Sequence, residues 1–433
     1  MQNNEDIIVV GHCMLSRLFI FILFSGYLSW SQVLERPPQF VLISFDGSKS
    51  QTFWNETFLL SQKSGAQFSY FISGVYFLQS KDRLNYHPPQ KRAGSSDIGF
   101  AIDDINDIEA RTKNVWRALN ETNPAMEIGS HVNGHFDGTA WTYEDWTQEF
   151  NEFYRLVGKV FEFYPTMNTS FKADWERVIT STIKGFRAPL LAGRPSITAA
   201  VMKAFRYSYD AGLVRKEKWP FKQTPELWNL GLSQIELAGT NRETIAMDYN
   251  ILYGQCHGQF NPKNSGECRD LDSSLLEYFE KQTYSSYVQA FLKSYYGNRT
   301  PLSIGHHFSL WNKGIYWTAL QRFVLDVCSL PEVKCVTHIE LVNWLESQSI
   351  RWGSSFLTKM NQGLFSKTAM PTAPKIALSA ELTPQSNPNQ FYEEIVMPTI
   401  SKSVERVMLK GDLPQAHKEI SNDVDMVKYR ISK

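Results

Sequence analysis

The sequence lacks a net charge: 44 lysines and arginines stand against 44 aspartates and glutamates in 433 residues. No broad electrostatic field therefore points to nucleic acid or an anionic membrane as a partner. Cysteine is scarce, five in all, and without a Cys-x-x-Cys spacing there is no sequence support for a structural zinc site. No internal repeat of fixed period is present. The apolar run from Leu18 to Trp30 is too short for a comfortable membrane span.

That run has the length of a signal-peptide core, with Leu15-Ser16-Arg17 as its positive flank and Ser29-Trp30-Ser31 placing small residues for cleavage before Gln32. The expectation is a signal peptide over 1–31, with Met14 as an alternative start and an uncleaved anchor as the rival reading. An exported protein follows, periplasmic, cell-wall-associated or extracellular, with no stable span after cleavage. Beyond Cys13, the cysteines form two local pairs, Cys256 with Cys268 and Cys328 with Cys335. In an oxidising compartment these read as two disulfides; four free buried thiols are the alternative. Aromatic residues are plentiful, with 12 Trp, 19 Tyr and 28 Phe, enough for a rich core, for a sugar-stacking groove, or for both.

The chain divides into a stiff linker over 32–39, a folded body over 40–350 and a polar, Pro-rich tail over 351–433, mostly flexible, with a helix near Ile400 to Leu409. Within the body, Phe40 to Phe45 is a buried strand, Phe53 to Ser64 a helix and Gln67 to Ile72 a second strand, a parallel βαβ unit. After a loop over 80–100 come a helix over Asp103 to Asn120, a strand over Met126 to Ser130, a helix opened by Thr142 and Asp145 in capping-box manner, and a helix capped by Ser196. Residues 215–273 resist ordering. Leu275 to Tyr296 is helical, Pro301 to His307 a strand, Trp317 to Val327 a helix, Val333 to Val336 a strand and Ile339 to Leu345 a helix.

Short strands here end repeatedly in a polar residue followed by a helix. Asp46, His131, Arg187, Asp210 and the pair His306/His307 all take that place. In parallel α/β barrels such strand ends converge on one face, where catalytic groups collect. His131 and His135 lie four apart; if the segment enters a helical turn, both imidazoles project from one face and can bind one metal ion. Singly, each residue has a plainer reading, Asp46 as a helix cap, Asp210 as a turn residue and His306-His307 as a core pair.

In this order the residues resemble the polysaccharide deacetylases of the NodB-homology type, the fourth carbohydrate esterase family, from about Phe40 to about Leu345. Phe45-Asp46-Gly47 is similar to the family's first motif, His131 to His135 to its second, Arg187-Ala188-Pro189 to its third, Tyr209-Asp210-Ala211-Gly212-Leu213 to its fourth and His307, or its neighbour His306, to its fifth. Gly185 to Leu213 and Pro301 to Trp311 also look like the longer exported chitin-deacetylase-like members. The resemblance implies an irregular (β/α) barrel of seven to eight strands and a divalent metal, commonly zinc, used to hydrolyse N-acetyl groups of a polysaccharide containing N-acetylglucosamine, peptidoglycan or chitin-like. It implies His131 and His135 as metal ligands, Asp46 as base, Arg187 as the partner holding that base by paired hydrogen bonds, His307 as general acid and Asp210 as its orienter. Leu190 stands where a backbone N–H meets the oxyanion, and Leu213 near the wall for the acetyl methyl. Strand alternation favours His307 over His306 as the acid, on the face of Ser303 and Gly305, which leave room for a substrate.

The first motif departs from the family: Gly47 stands where a second, metal-binding aspartate belongs. Asp46 then either remains the base or turns to the metal, with Asp137 and Asp103 as replacement carboxylates, or the protein is a catalytically impaired glycan-binding module on the same scaffold. An esterase acting on O-acetyl groups is a variant of the enzyme reading.

Overall fold

The computed structural model describes residues 34–353 and 355–366. The expected signal segment, Cys13, the tail beyond Ser366 and the helix near Ile400 lie outside the described residues.

Strand Gln39–Gly47 is the centre of the fold. Its apolar run is buried on both faces, as strands of parallel sheets are. It pairs in parallel with strand Leu302–His307 on one side and Phe68–Ile72 on the other, and its first residues also pair with Val333–Cys335. The sheet continues in parallel through Glu127–Ser130, Gly185–Phe186, Tyr209–Asp210 and Leu227–Asn229, and ends at the antiparallel strand Phe221–Thr224. These nine strands form a curled, mostly parallel half-barrel, in agreement with the irregular (β/α) barrel the sequence led us to expect. Beyond strand Leu302–His307 the curl continues into a small sheet of Val214–Arg215, Leu232–Glu236 and Glu243–Ile245. The Gly305 N–H donates to the Ala246 carbonyl at 2.8 Å and the Ser303 N–H to Ser233 Oγ at 2.9 Å, which join the two sheets.

Alternation along the strands separates two cores. Val41, Ile43 and Phe45 point outward and pack with Trp54, Tyr70 and Trp317 under the surrounding helices, while Phe40 and Leu42 point inward with Phe71, Tyr209 and Trp228. Ser44 and Asp46 continue the inward face.

The helices begin where the sequence supplies caps. Ser50 accepts from the Phe53 N–H at the start of Gln51–Ser64, and Gly65, at φ 72°, ends that helix. Thr142 with Asp145, and Thr337 with Glu340, form capping boxes on Tyr143–Phe153 and His338–Trp352. The helix expected from a Ser196 cap starts two residues earlier, at Pro195, with Arg194 at the cap and no side-chain cap bond; proline at the first helical position sets the entering φ without needing an N–H partner. Both disulfides are formed, Cys256–Cys268 and Cys328–Cys335, with Cα atoms 5.0 and 5.5 Å apart. The packed body runs beyond residue 350: helix Phe356–Asn361 buries Phe356 and Met360 in the inner core, and Leu34 pairs with Phe365. Among the described residues no helix is long and apolar enough to cross a membrane.

Candidate active site

Asp46 and His307 face each other as paired residues on neighbouring parallel strands. Asp46 is almost fully buried, and Arg187 Nη1 donates to its Oδ1 at 2.8 Å. The same Nη1 reaches Ser44 Oγ at 2.8 Å and Nε donates to the Ala211 carbonyl at 3.1 Å, so Arg187 holds Asp46 by one bond instead of the paired bonds inferred from sequence. Burial alone would raise the Asp46 pKa. The charges of Arg187, His131 and His307, with the Arg187 hydrogen bond, outweigh it and hold the carboxyl below its ordinary value.

His131 follows strand Glu127–Ser130, and its N–H donates to the Ile72 carbonyl at 2.9 Å. Its Nδ1 lies 2.8 Å from the Arg187 carbonyl. A carbonyl only accepts, so Nδ1 carries the proton and Nε2 keeps its lone pair, the arrangement seen in metal-binding histidines. The segment to His135 is not the helical turn considered above. It is a loop with left-handed residues at Val132, φ 45°, and His135, φ 61°, which brings the two rings to 5.2 Å between centroids. Burial first, and then the neighbouring imidazole charges, push the His135 pKa down to about 3; burial also lowers that of His131. Both are neutral lone-pair donors at ordinary pH.

The loop is held from behind. Glu149 on helix Tyr143–Phe153 accepts the Asn133 N–H at 3.1 Å, and its backbone carbonyl accepts Asn133 Nδ2 at 2.8 Å. The Tyr86 hydroxyl donates to the Glu149 carboxylate at 2.8–2.9 Å and accepts the Gly134 N–H at 3.1 Å. None of this was readable from the motif.

On the opposite side, His307 Nδ1 meets Asp248 Oδ1 at 2.7 Å and the His307 N–H donates to Asp248 Oδ2 at 2.8 Å. Burial lowers the His307 pKa, but Asp248, through charge and hydrogen bond, and the charge of Asp46 reverse this, so the net shift is upward. The carboxylate in contact with His307 is thus Asp248, where the sequence points to Asp210. Asp210 accepts the Gly212 N–H at 2.7 Å and Gln223 Nε2 at 3.4 Å, as a turn-forming carboxylate does. His306 points the other way, to the Tyr287 hydroxyl at 2.9 Å on helix Ser273–Tyr296, and burial lowers its pKa to about 4.

The other inferred residues are placed as follows. Leu190 lies in the turn Pro189–Leu191 at φ 56°, and Leu213, partly buried, accepts the Leu232 N–H through its carbonyl. Gly305 leaves no open room: a Cβ there would lie 2.8 Å from Met247, 3.0 Å from Leu232 and 3.4 Å from Arg187 Nη1. Asp137 and Asp103 are exposed and accept the Thr139 and Lys81 N–H groups. Among the described residues no group of three His, Cys, Asp or Glu side chains is arranged to hold a metal ion. His131, buried and oriented by a backbone carbonyl, and His135, partly buried, are neutral imidazoles of the kind a borderline divalent ion takes, two donors where a closed site has more.

In sequence the chain matches no family model and no curated protein. In structure it is similar to a Mycobacterium smegmatis protein assigned as a polysaccharide deacetylase, at 11% identity over 73% of this chain and 96% of that one, with a TM-score of 0.44. It is also similar to the peptidoglycan deacetylase PdaC of Bacillus subtilis, at 9% identity over 74% and 100% of the two chains (TM-score 0.37), and to a CE4 family pseudoenzyme from Bacillus anthracis, at 7% identity over 71% and 66% (TM-score 0.35).

Proposed function

We propose that the chain is an exported hydrolase that removes N-acetyl groups from an amino-sugar polysaccharide, peptidoglycan or chitin-like, with the aid of a divalent metal ion. The observation that carries this reading is the pairing of Asp46 with His307 across one strand register, one kept anionic by Arg187 and the other made easier to protonate by Asp248. Two titratable groups pushed apart in this way divide the acid and base roles of amide hydrolysis.

In this reading Asp46 takes a proton from the water that attacks the acetyl carbonyl. The C–N bond breaks, acetate forms, and His307 gives its Nε2 proton to the departing amine. Asp248 keeps the His307 ring in the tautomer that presents Nε2 to the site, and Arg187 keeps Asp46 ionised. His131 and His135 would hold the ion, zinc in the first place, which when bound acts as a Lewis acid on water and the acetyl oxygen. Export is supported by the two disulfides.

A second reading, a glycan-binding protein on the same scaffold, is favoured by Gly47 and the two-ligand donor set. Acetate release from N-acetylglucosamine oligomers separates them, measured with added zinc and with a chelator. The wild type should release acetate, and His307→Ala should lower kcat by about a hundredfold or more. No acetate from any acetylated amino-sugar polymer would sink the enzyme reading and leave the binding protein.

A further inference from the structure

The indole of Trp311 lies 5.0 Å from the His307 imidazole and 5.3 Å from the Tyr249 ring, centroid to centroid. Trp311 and Tyr249 are both only partly buried, and a quarter of the His307 side chain is exposed. Trp311 opens a turn with three successive left-handed residues, Asn312 at φ 44°, Lys313 at φ 60° and Gly314 at φ 85°. Two of these carry a Cβ, so the turn is unfavourable by itself and has to be held by its surroundings.

A hairpin holds it. Strands Phe260–Asn261 and Asn264–Cys268 pair antiparallel, and the Cys256–Cys268 disulfide ties their end to helix Asp248–Cys256. The Cys268 N–H donates to Asn312 Oδ1 at 2.9 Å, Asn312 Nδ2 donates to the Tyr316 hydroxyl at 2.8 Å, and that hydroxyl donates to Gln255 Oε1 at 2.8 Å, next to the disulfide. Gly266 lies flat on the indole edge, where a Cβ would come within 2.5 Å of Trp311 Cδ1. The helix that the disulfide closes also begins with Asp248, the partner of His307.

We propose that Trp311 is the sugar-stacking platform of a glycan subsite beside His307, and that the disulfide-closed hairpin holds it there. The direction of the sugar rests on the deacetylase reading. The nitrogen that receives the His307 proton is bonded to the sugar ring, so the ring, and not the acetyl group, lies on the His307 side. A pyranose presents an apolar C–H face with hydroxyls at its rim. A partly exposed indole offers a flat apolar face with a polar N–H at its edge, and such a pair gains from stacking beyond simple area burial.

The test is binding of N-acetylglucosamine hexamer to the full chain, by calorimetry, alongside acetate release. Trp311→Ala should weaken hexamer binding about tenfold, with KM rising more than kcat falls. Trp311→Phe, which keeps a flat ring, should recover most of the loss, and Leu310→Ala, at an exposed neighbouring residue, should bind as the wild type does. Cys256→Ser with Cys268→Ser should weaken binding in the same direction. If Trp311→Ala does not fold, Trp311→Leu, which keeps apolar volume without a flat face, carries the same expectation. A wild type that binds no hexamer, or a Trp311→Ala or Trp311→Leu variant that binds within twofold of it, overturns the subsite. A tenfold loss in Trp311→Ala with undiminished binding in the cysteine variant overturns the clamp. A tenfold loss in a protein that releases no acetate supports the subsite while the deacetylase reading falls.

Discussion

The charge on His307 depends chiefly on one of its two neighbouring carboxylates. Asp248 uses both oxygens on that residue, one on the ring and one on the backbone N–H, whereas asparagine offers a single acceptor oxygen and no charge. Asp248→Asn should let burial dominate and lower the His307 pKa. A general acid works while protonated, so the alkaline limb of kcat/KM should move to lower pH by about one unit. An alkaline limb that stays in place would show that Asp248 does not set the acid. The vacancy at position 47 is testable in the same spirit. Gly47 has φ 74°, and a Cβ there would meet nothing closer than Tyr76 Cε2 at 3.5 Å, so the obstacle to a side chain is the backbone and not space. Gly47→Asp should tighten zinc binding by roughly tenfold or more while costing about 1–2 kcal/mol of stability from the left-handed backbone. Gly47→Asn carries the same strain without the charge and should bind zinc like the wild type. Equal zinc affinity in all three proteins would mean that position 47 does not face the ion.

At the scale of elements, the His131–His135 loop is set by helix Tyr143–Phe153 more than by its own residues. A β-branched valine at φ 45° persists only where its surroundings over-determine it, and Tyr86 and Glu149 provide that constraint. Tyr86→Phe removes a donor to a buried carboxylate and an acceptor for the Gly134 N–H. It should cost about 1–3 kcal/mol, read by urea unfolding, with faster amide exchange at Asn133 and Gly134 than at strand Glu127–Ser130. The same distinction separates what the sequence disclosed from what it hid. Strands of a parallel sheet read as apolar runs ending in polar residues, and strict alternation sends Ser44, Asp46 and His307 inward and His306 outward, so these placements follow from local pattern. The loop geometry depends on a carboxylate contact 63 residues from Tyr86. Asp248 lies 59 residues from His307, within a stretch of strands two to five residues long that shows no period. Its one local signal is an acid opening a helix, which ordinarily reads as a response to the helix dipole.

Across the whole molecule, two buried glutamates tie the barrel together at opposite ends of strand Glu127–Ser130. Glu127 accepts from the hydroxyls of Ser69 and Tyr209 and from the Ile339 N–H, joining three strands to helix His338–Trp352. Glu149 fixes the loop beyond the other end. Burial outweighs these hydrogen bonds and pushes both pKa values up to about 7. An unfolded glutamate titrates near the ordinary value of about 4.3, so between that pH and about 7 the unfolded chain loses protons that the folded one keeps. Stability from these groups is thus fully present at low pH and is lost as pH rises from about 4.3 through about 7, at most about 4 kcal/mol each. Asp46 acts with the opposite sign, but below its ordinary carboxylate value and so outside this window. His307, raised by Asp248, falls in the same direction as the glutamates, whereas His131, His135, His306 and His338, lowered by burial, act with the opposite sign below about pH 6.5, so the comparison has to be made against a variant that keeps every histidine. Relative to the wild type, Glu127→Gln with Glu149→Gln should shift the slope of unfolding free energy against pH upward between pH 5 and 7, measured by urea denaturation at several pH values. Parallel curves for variant and wild type would show that both glutamates are ionised in the folded protein, with their hydrogen bonds, and not burial, deciding their charge.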